Sequence, residues 1–249
     1  MKPENGIAAI ILAAGKGTRM KSSLAKVLHP LLGRPMLTFT IARAKEIGSA
    51  RIVVVIGHQA DLIRETIPDQ AVTYVVQEQQ LGTGHAVLVT EPSLRDFRGA
   101  ILILCGDVPL LKRATLDRLI ADHESARADL TVLTAVLDNP SGYGRIVRGE
   151  GSVIERIVED RDASAEEKKI REINSGMYCV RSGFLYEAVS LIRNENAQGE
   201  YYLTDIVGIA GRSGFLACAS VAADYREVLG INTVEELSAA EAILRERGE

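Results

Sequence analysis

Short apolar runs alternate with amphipathic stretches along the first 137 residues. The runs GIAAIIL (6–12), RIVVVIG (51–57), VTYVVQ (72–77), AILILCGD (100–107) and DLTVLTAV (129–136) are rich in β-branched residues. They show little polar alternation, which is the signature of strands buried on both faces. Between them, PMLTFTIARAKEIGS (35–49) reads as a helix with Pro35 at its first position and an end near Gly48. Its Leu37, Ile41 and Ala44 share one face. RATLDRLIADHESA (113–126) repeats the pattern with Leu116, Leu119 and Ile120. Strand–helix alternation of this kind predicts an α/β fold, Rossmann-like and three-layered, whose mostly parallel mixed sheet carries helices on both faces.

The pattern changes after Leu137. GYGRIVRGEGSVIERIVED (142–160) holds two short strand-like runs around RGEG and predicts a hairpin. RDASAEEKKIRE (161–172) is highly charged and reads as a solvated loop or short surface helix. INSGMYCV (173–180) and GFLACASVA (214–222) read as further strands, and TVEELSAAEAILRERGE (233–249) as a terminal helix with Val234, Leu237 and Leu244 on one side. No repeat or linker stands out. The chain is therefore expected to form one domain over 1–249, with a small β-rich insertion rather than two independent units.

Charge and composition narrow the function. The formal net charge is −4, from 29 basic and 33 acidic residues, so a general nucleic-acid binder is disfavoured and any anion must meet a local patch. The apolar runs are too short to span a bilayer, and MKPENG lacks the signal-peptide pattern. Cys105, Cys179 and Cys218 are odd in number, far apart and embedded in apolar runs. They read as reduced core thiols of a cytoplasmic protein.

The stretch LAAGKGTRMK (12–21) leaves the first strand with two glycines and several cations. Gly15-Lys16 is followed by Gly17, so the Walker-type loop fails, and Met20 stands where a dinucleotide fingerprint needs its third glycine. Glycines still let backbone N–H groups approach a phosphate. Lys16, Arg19, Lys21 and Lys26 could neutralise one, although an ordinary turn with solvated cations stays open on this stretch alone. The four histidines show no metal or nucleophile–base spacing, and His85 reads as structural.

Taken together, LAAGKGTRMKSSLAKVLHPLLGRPM (12–36), QEQQLGTGHAV, CGDVPLL, GYGRIVR, IVEDRDAS, EINSGMY, NAQGEYYLTDIV and GINTVEEL resemble, in order, the motifs of sugar nucleotidyltransferases. The match is tightest with the uridylyltransferase domains of bacterial bifunctional N-acetylglucosamine-1-phosphate uridyltransferase/acetyltransferases, and it covers residue 7 to about 245. That resemblance implies a nucleotide-diphospho-sugar transferase fold, with a nucleotide-binding part at about 1–137 and a sugar-binding part at about 138–249. The β-helix acetyltransferase repeats of that family are not present in this sequence. A stand-alone enzyme and an excised domain are both compatible with this, and a monomer or weak dimer is expected.

The resemblance also implies a reaction: UTP and N-acetylglucosamine 1-phosphate give UDP-N-acetylglucosamine and pyrophosphate, by Mg²⁺-dependent in-line attack on the α-phosphate. Leu12, Ala13, Ala14, Gly15 and Gly17 would hold the nucleotide with Gln77, Gly82 and Thr83. Gln77 would read the uracil edge. Arg19 and Lys26 would neutralise the phosphates. Asp107 and Asn232 would hold the Mg²⁺, although Asn232 also suits the cap of the last helix. Gly144, Glu159, Asn174, Tyr201 and Thr204 would face the sugar, Tyr201 being equally readable as core. Two departures from the family pattern bear on this. Ala25 replaces a usual proline, which implies a looser loop around Lys26. Cys105 replaces a common tyrosine, which puts sugar specificity in question. The rival readings are a transferase using dTTP or UTP with glucose 1-phosphate, and a regulatory sugar-nucleotide-binding domain, which would be expected to lack Lys26, Asp107 or Asn232.

Overall fold

The computed structural model describes residues 6–15, 17–149 and 153–248. Lys16, and residues 150 and 151 of the expected hairpin turn, lie outside the described residues.

In chain order the elements are β1 (Ile7–Ala13), β2 (Pro30–Leu31), β3 (Arg34–Pro35), α1 (Leu37–Glu46), β4 (Arg51–Ile56), α2 (Ala60–Thr66), β5 (Val72–Val76), α3 (Thr83–Leu88), α4 (Glu91–Leu94), β6 (Ala100–Cys105), α5 (Arg113–Ala126) and β7 (Leu130–Val136). There follow β8 (Arg145–Arg148), β9 (Ile154–Val158), β10 (Glu172–Arg181), α6 (Ser182–Ser190), α7 (Asp205–Arg212), β11 (Ala217–Val221) and α8 (Val234–Arg247). The main sheet runs β11-β7-β10-β6-β1-β4-β5, and β8 and β9 branch from β10. The β1–β4, β1–β6, β4–β5 and β7–β11 pairs are parallel, whereas β10 is antiparallel to both β6 and β7.

Alternation along β1 divides two cores. Ile7, Ala9, Ile11 and Ala13 pack on one side with Leu37 and Ile41 of α1 and with Leu116 and Leu119 of α5. Ala8 and Ile10 pack on the other with Val87 of α3, Phe184 of α6 and Ile206 of α7. Successive strand residues point to opposite faces, so a strand apolar at every position is what a sheet sandwiched between two helix layers requires. The three-layer α/β expectation holds.

Some local expectations are corrected. Pro35 is not the first helical residue: it pairs with Pro30 in the β2–β3 hairpin, and α1 starts at Leu37. Val234 does not share the buried side of α8. It is 53% exposed, while Ala240 and Leu244 pack with Leu31, Met36 and Phe39. The cap of α8 is Thr233, which accepts the Glu236 N–H at 3.2 Å in a reciprocal capping box. Asn232 lies one residue ahead of that cap, so its side chain is released for other partners. No described helix is long and apolar enough to cross a membrane.

Candidate active site

The segments that follow β1, β5 and β6 meet at the carboxyl ends of these parallel strands, where open α/β sheets place ligands. They enclose a cleft of about 490 Å³. Leu12, Ala13, Ala14, Gly15 and Gly17 line it from the first segment, and Gln77, Gly82 and Thr83 from the second; Lys26 and Asp107 complete the wall. All the residues that sequence motifs assigned to the nucleotide are therefore brought together. Gly17 has φ +62°, and a Cβ there would lie 2.5 Å from the Lys26 Cβ, so only glycine lets the turn close over that lysine. Gln77 is buried, and its side-chain amide donates to the Gly82 carbonyl at 3.0 Å and meets His85 Nδ1 at 3.0 Å. His85 thus serves to orient Gln77. Gln80, which the sequence reading passed over, donates to the Ala14 carbonyl at 2.9 Å and ties the two segments together.

Lys26 opens a short 3₁₀ turn anchored by the buried Val27 and Leu28. The expected looseness beside Ala25 is not found. The Ala25 N–H donates to Gln59 Oε1 at 2.6 Å, and Gln59 in turn donates to the Ser23 carbonyl at 2.9 Å. A proline has no N–H to make that bond. The Lys26 ammonium pairs with the Asp107 carboxylate and donates to Asn232 Oδ1 at 3.0 Å. Arg19, exposed on its own 3₁₀ turn, donates to the same amide oxygen at 2.8 Å. The Ile231 N–H donates to the Asp107 carbonyl at 2.9 Å, which fixes the Asn232 segment beside the β6 terminus.

Asp107 and Asn232 therefore present a carboxylate and an amide oxygen to one positive charge, the Lys26 ammonium. Such a hard-oxygen pair fits magnesium, which takes few protein ligands and fills its shell with water and phosphate. Among the described residues, no group of three or more His, Cys, Asp or Glu could hold a metal by itself. An ion bound here would rely on phosphate oxygens.

A smaller cavity of about 220 Å³ adjoins the cleft and shares Leu12, Thr83 and Cys105 as walls. Its far side follows from strand register. Arg145 of β8 is paired with Val158 of β9 and with Ile173 of β10. One residue further along each strand stand Gly144, Glu159 and Asn174, in one row. The Asn174 N–H donates to the Gly144 carbonyl at 2.9 Å, and a Cβ on Gly144 would lie 3.5 Å from either carboxylate oxygen of Glu159. Thr204 donates to Glu159 Oε1 at 3.1 Å. Burial raises the Glu159 pKa, Asp162, Asp205 and Asp160 raise it further, and the Thr204 hydroxyl partly opposes them. Asn174 donates to the Tyr178 hydroxyl at 2.9 Å and accepts the Gly176 N–H at 3.0 Å, so its amide is oriented before any ligand arrives.

Tyr201 lines neither cavity. Its backbone braces the β5–α3 segment, accepting from Gly84 N–H at 2.7 Å and donating to the Leu81 carbonyl at 2.8 Å. Cys179 and Cys218 are buried, as expected; Cys105 is partly buried, packing against the core while ending β6 on the wall common to both cavities. Tyr143, Ser175 and Gly176 also line the smaller cavity unforeseen. Ser175-Gly176 could have been found from the NSG of EINSGMY, where β10 shifts register between Asn174 and Met177.

The model of the MobA-like NTP transferase domain family matches residues 9–172. The chain belongs to that family. It is an NTP transferase domain, and the cleft at its β1, β5 and β6 termini lies largely within the matched span. Bifunctional protein GlmU of Geobacter metallireducens is 52% identical over 242 residues, covering 97% of this chain and 51% of that protein. Bifunctional protein GlmU of Trichlorobacter lovleyi is 53% identical over 241 residues, with 96% and 52% covered. The chain thus spans about half the length of the curated relatives it matches. Among solved structures, UDP-glucose pyrophosphorylase complexed with UDP-glucose is similar at TM-score 0.75 and 19% identity, covering 96% of this chain and 98% of that one. The inositol-1-phosphate CTP transferase from T. maritima is similar at 0.73 and 17%, covering 98% and 96%. These two likenesses concern the fold of the NTP transferase domain.

Proposed function

We propose that this domain transfers a uridylyl group from UTP to N-acetylglucosamine 1-phosphate, releasing pyrophosphate. One observation carries the reading: a larger cleft lined by Lys26 and Asp107 shares Leu12, Thr83 and Cys105 with an adjoining smaller cavity lined by Glu159, Asn174 and Thr204. A nucleoside triphosphate and a sugar phosphate can lie in these with their phosphates adjoining. Membership of the NTP transferase family, the half-length likeness to the bifunctional proteins, and the motif resemblance support the same choice.

The chemistry joins two polyanions. A sugar-phosphate oxygen forms a bond to the α-phosphorus while the bond from that phosphorus to the bridging oxygen breaks, and pyrophosphate leaves with the electron pair. The sugar phosphate is the nucleophile, so no residue need form a covalent intermediate. What the chain supplies is positioning and charge neutralisation. Backbone N–H groups of the glycine turn bind the nucleotide, Gln77 faces the base, Lys26 and Arg19 lie along the phosphates, and Glu159 and Asn174 orient the sugar. Asp107 and Asn232 would hold Mg²⁺, which when bound offsets negative charge on the phosphate oxygens.

A pyrophosphate-release assay over a panel of nucleotides and sugar phosphates tests the reading. The expected result is turnover with UTP and N-acetylglucosamine 1-phosphate above other pairs. Turnover only with dTTP, or only with glucose 1-phosphate, would reassign the substrates. No release with any pair would mark a binding module.

A further inference from the structure

Arg145 is 2% exposed, a burial uncommon for an arginine. Its guanidinium makes two bonds that run in different directions. One Nη donates to the carbonyl of Tyr143, and the other pairs with Asp160 Oδ1 at 2.9 Å. Tyr143, Gly144 and Glu159, the neighbour of Asp160, line the same side of the smaller cavity, and a Cβ on Gly144 would lie 3.5 Å from the Glu159 carboxylate oxygens. These residues belong to segments that flank the β8–β9 hairpin, where Arg145 pairs with Ile173 of β10. The bond from the Asn174 N–H to the Gly144 carbonyl carries the backbone pairing one residue beyond Arg145, where the cavity begins.

Building on the proposed function, the geometry points to Arg145 as a positioning residue for the sugar 1-phosphate. It touches no substrate. Its planar fork clamps the Tyr143–Gly144 segment to the Glu159–Asp160 segment and so fixes the wall against which the sugar is held. It also neutralises Asp160 beside Glu159, the carboxylate facing the cavity. A lysine cannot replace it, because an ammonium is a compact charge without a fixed fork. The nucleotide cleft draws on none of these contacts, so the effect is confined to one substrate.

The test is steady-state kinetics on the intact chain bearing Arg145→Met, Arg145→Lys or Asp160→Asn, with calorimetric binding of UDP-N-acetylglucosamine as a second readout. Arg145→Met should raise KM for the sugar phosphate by about tenfold or more, with KM for UTP changed by less than about twofold. Arg145→Lys should fall between the parent and Arg145→Met. Asp160→Asn, at a side chain 32% exposed, keeps the fold and should give a rise of about threefold in the same KM. Binding of the UDP-sugar should weaken in the same order. Equal rises in both KM values, or an unchanged sugar-phosphate KM in Asp160→Asn and in whichever Arg145 variant folds, would overturn the role. If the unsubstituted protein turns over no substrate pair, the reading of the site falls and the role of Arg145 with it. Turnover without the KM split removes Arg145 alone.

Discussion

Asp107 and Asn232 stand far apart in the sequence, yet their side-chain oxygens converge on one ammonium, that of Lys26. The pairing depends on a backbone bond from Ile231 to Asp107 and on Thr233, which takes the helix cap and leaves Asn232 free.

Lys26→Met should therefore act twice. Turnover should fall by about a hundredfold, the loss expected when one preorganised charge of roughly 3 kcal/mol is removed from the transition state. In the nucleotide-free protein, Asp107 loses its internal cation while Asn232 keeps only Arg19, so Mn²⁺, followed by paramagnetic resonance, should bind more tightly than to the parent. Unchanged turnover would remove Lys26 from the reacting phosphates.

Glu159 gives a prediction with a pH sign. Its folded pKa lies above the ordinary 4.5, chiefly through burial. An acid shifted upward contributes stability that is fully present below 4.5 and lost as pH rises through the folded value. Glu159→Gln escapes that loss. It should be more stable than the parent in urea titrations at pH 7, with the gap closing toward pH 4, while binding of the sugar phosphate weakens.

His123 has the opposite sign. Buried against Thr131, its pKa is lowered to about 4. Its contribution is present above the ordinary 6.5 and lost as pH falls through 4, a span worth roughly 3 kcal/mol. His123→Gln should flatten the acid limb of the stability profile in that window.

Gly82 tests the backbone of the cleft. It has φ +113°, and a Cβ would lie 2.6 Å from the Tyr201 carbonyl oxygen, a backbone atom that cannot step aside cheaply. Gly82→Ala should cost about 3 kcal/mol by denaturant unfolding and raise KM for UTP, because Gln77 donates to the Gly82 carbonyl.

The buried strands were legible because residues apolar at every position have one common explanation, a sheet covered twice. The short helices α3, α6 and α7 were not, since TGHAVL, SGFLYEAVS and DIVGIAGR carry glycines and span few turns. Most of the residues that motifs assigned to the nucleotide and the sugar do line the two cavities, whereas Tyr201 serves as a brace. The motifs grouped Asn174, Gly144 and Glu159, but their alignment in one row was not legible from spacing, for a physical reason. It is produced by antiparallel register around Arg145, and no spacing along the chain encodes a register. Cys105 reads from the sequence both as a core thiol and, through the family pattern, as a change near the sugar; it packs on the core and also ends on the wall common to both cavities.

The antiparallel insertion of β10 between β6 and β7 has a consequence for biosynthesis. Both flanking strands leave the ribosome before the one that joins them. Until Arg181 has emerged, β6 and β7 each hold a bare hydrogen-bonding edge, open to strands of neighbouring nascent chains. A truncation at residue 137 would make that exposure permanent, and the fragment should accumulate in the insoluble fraction.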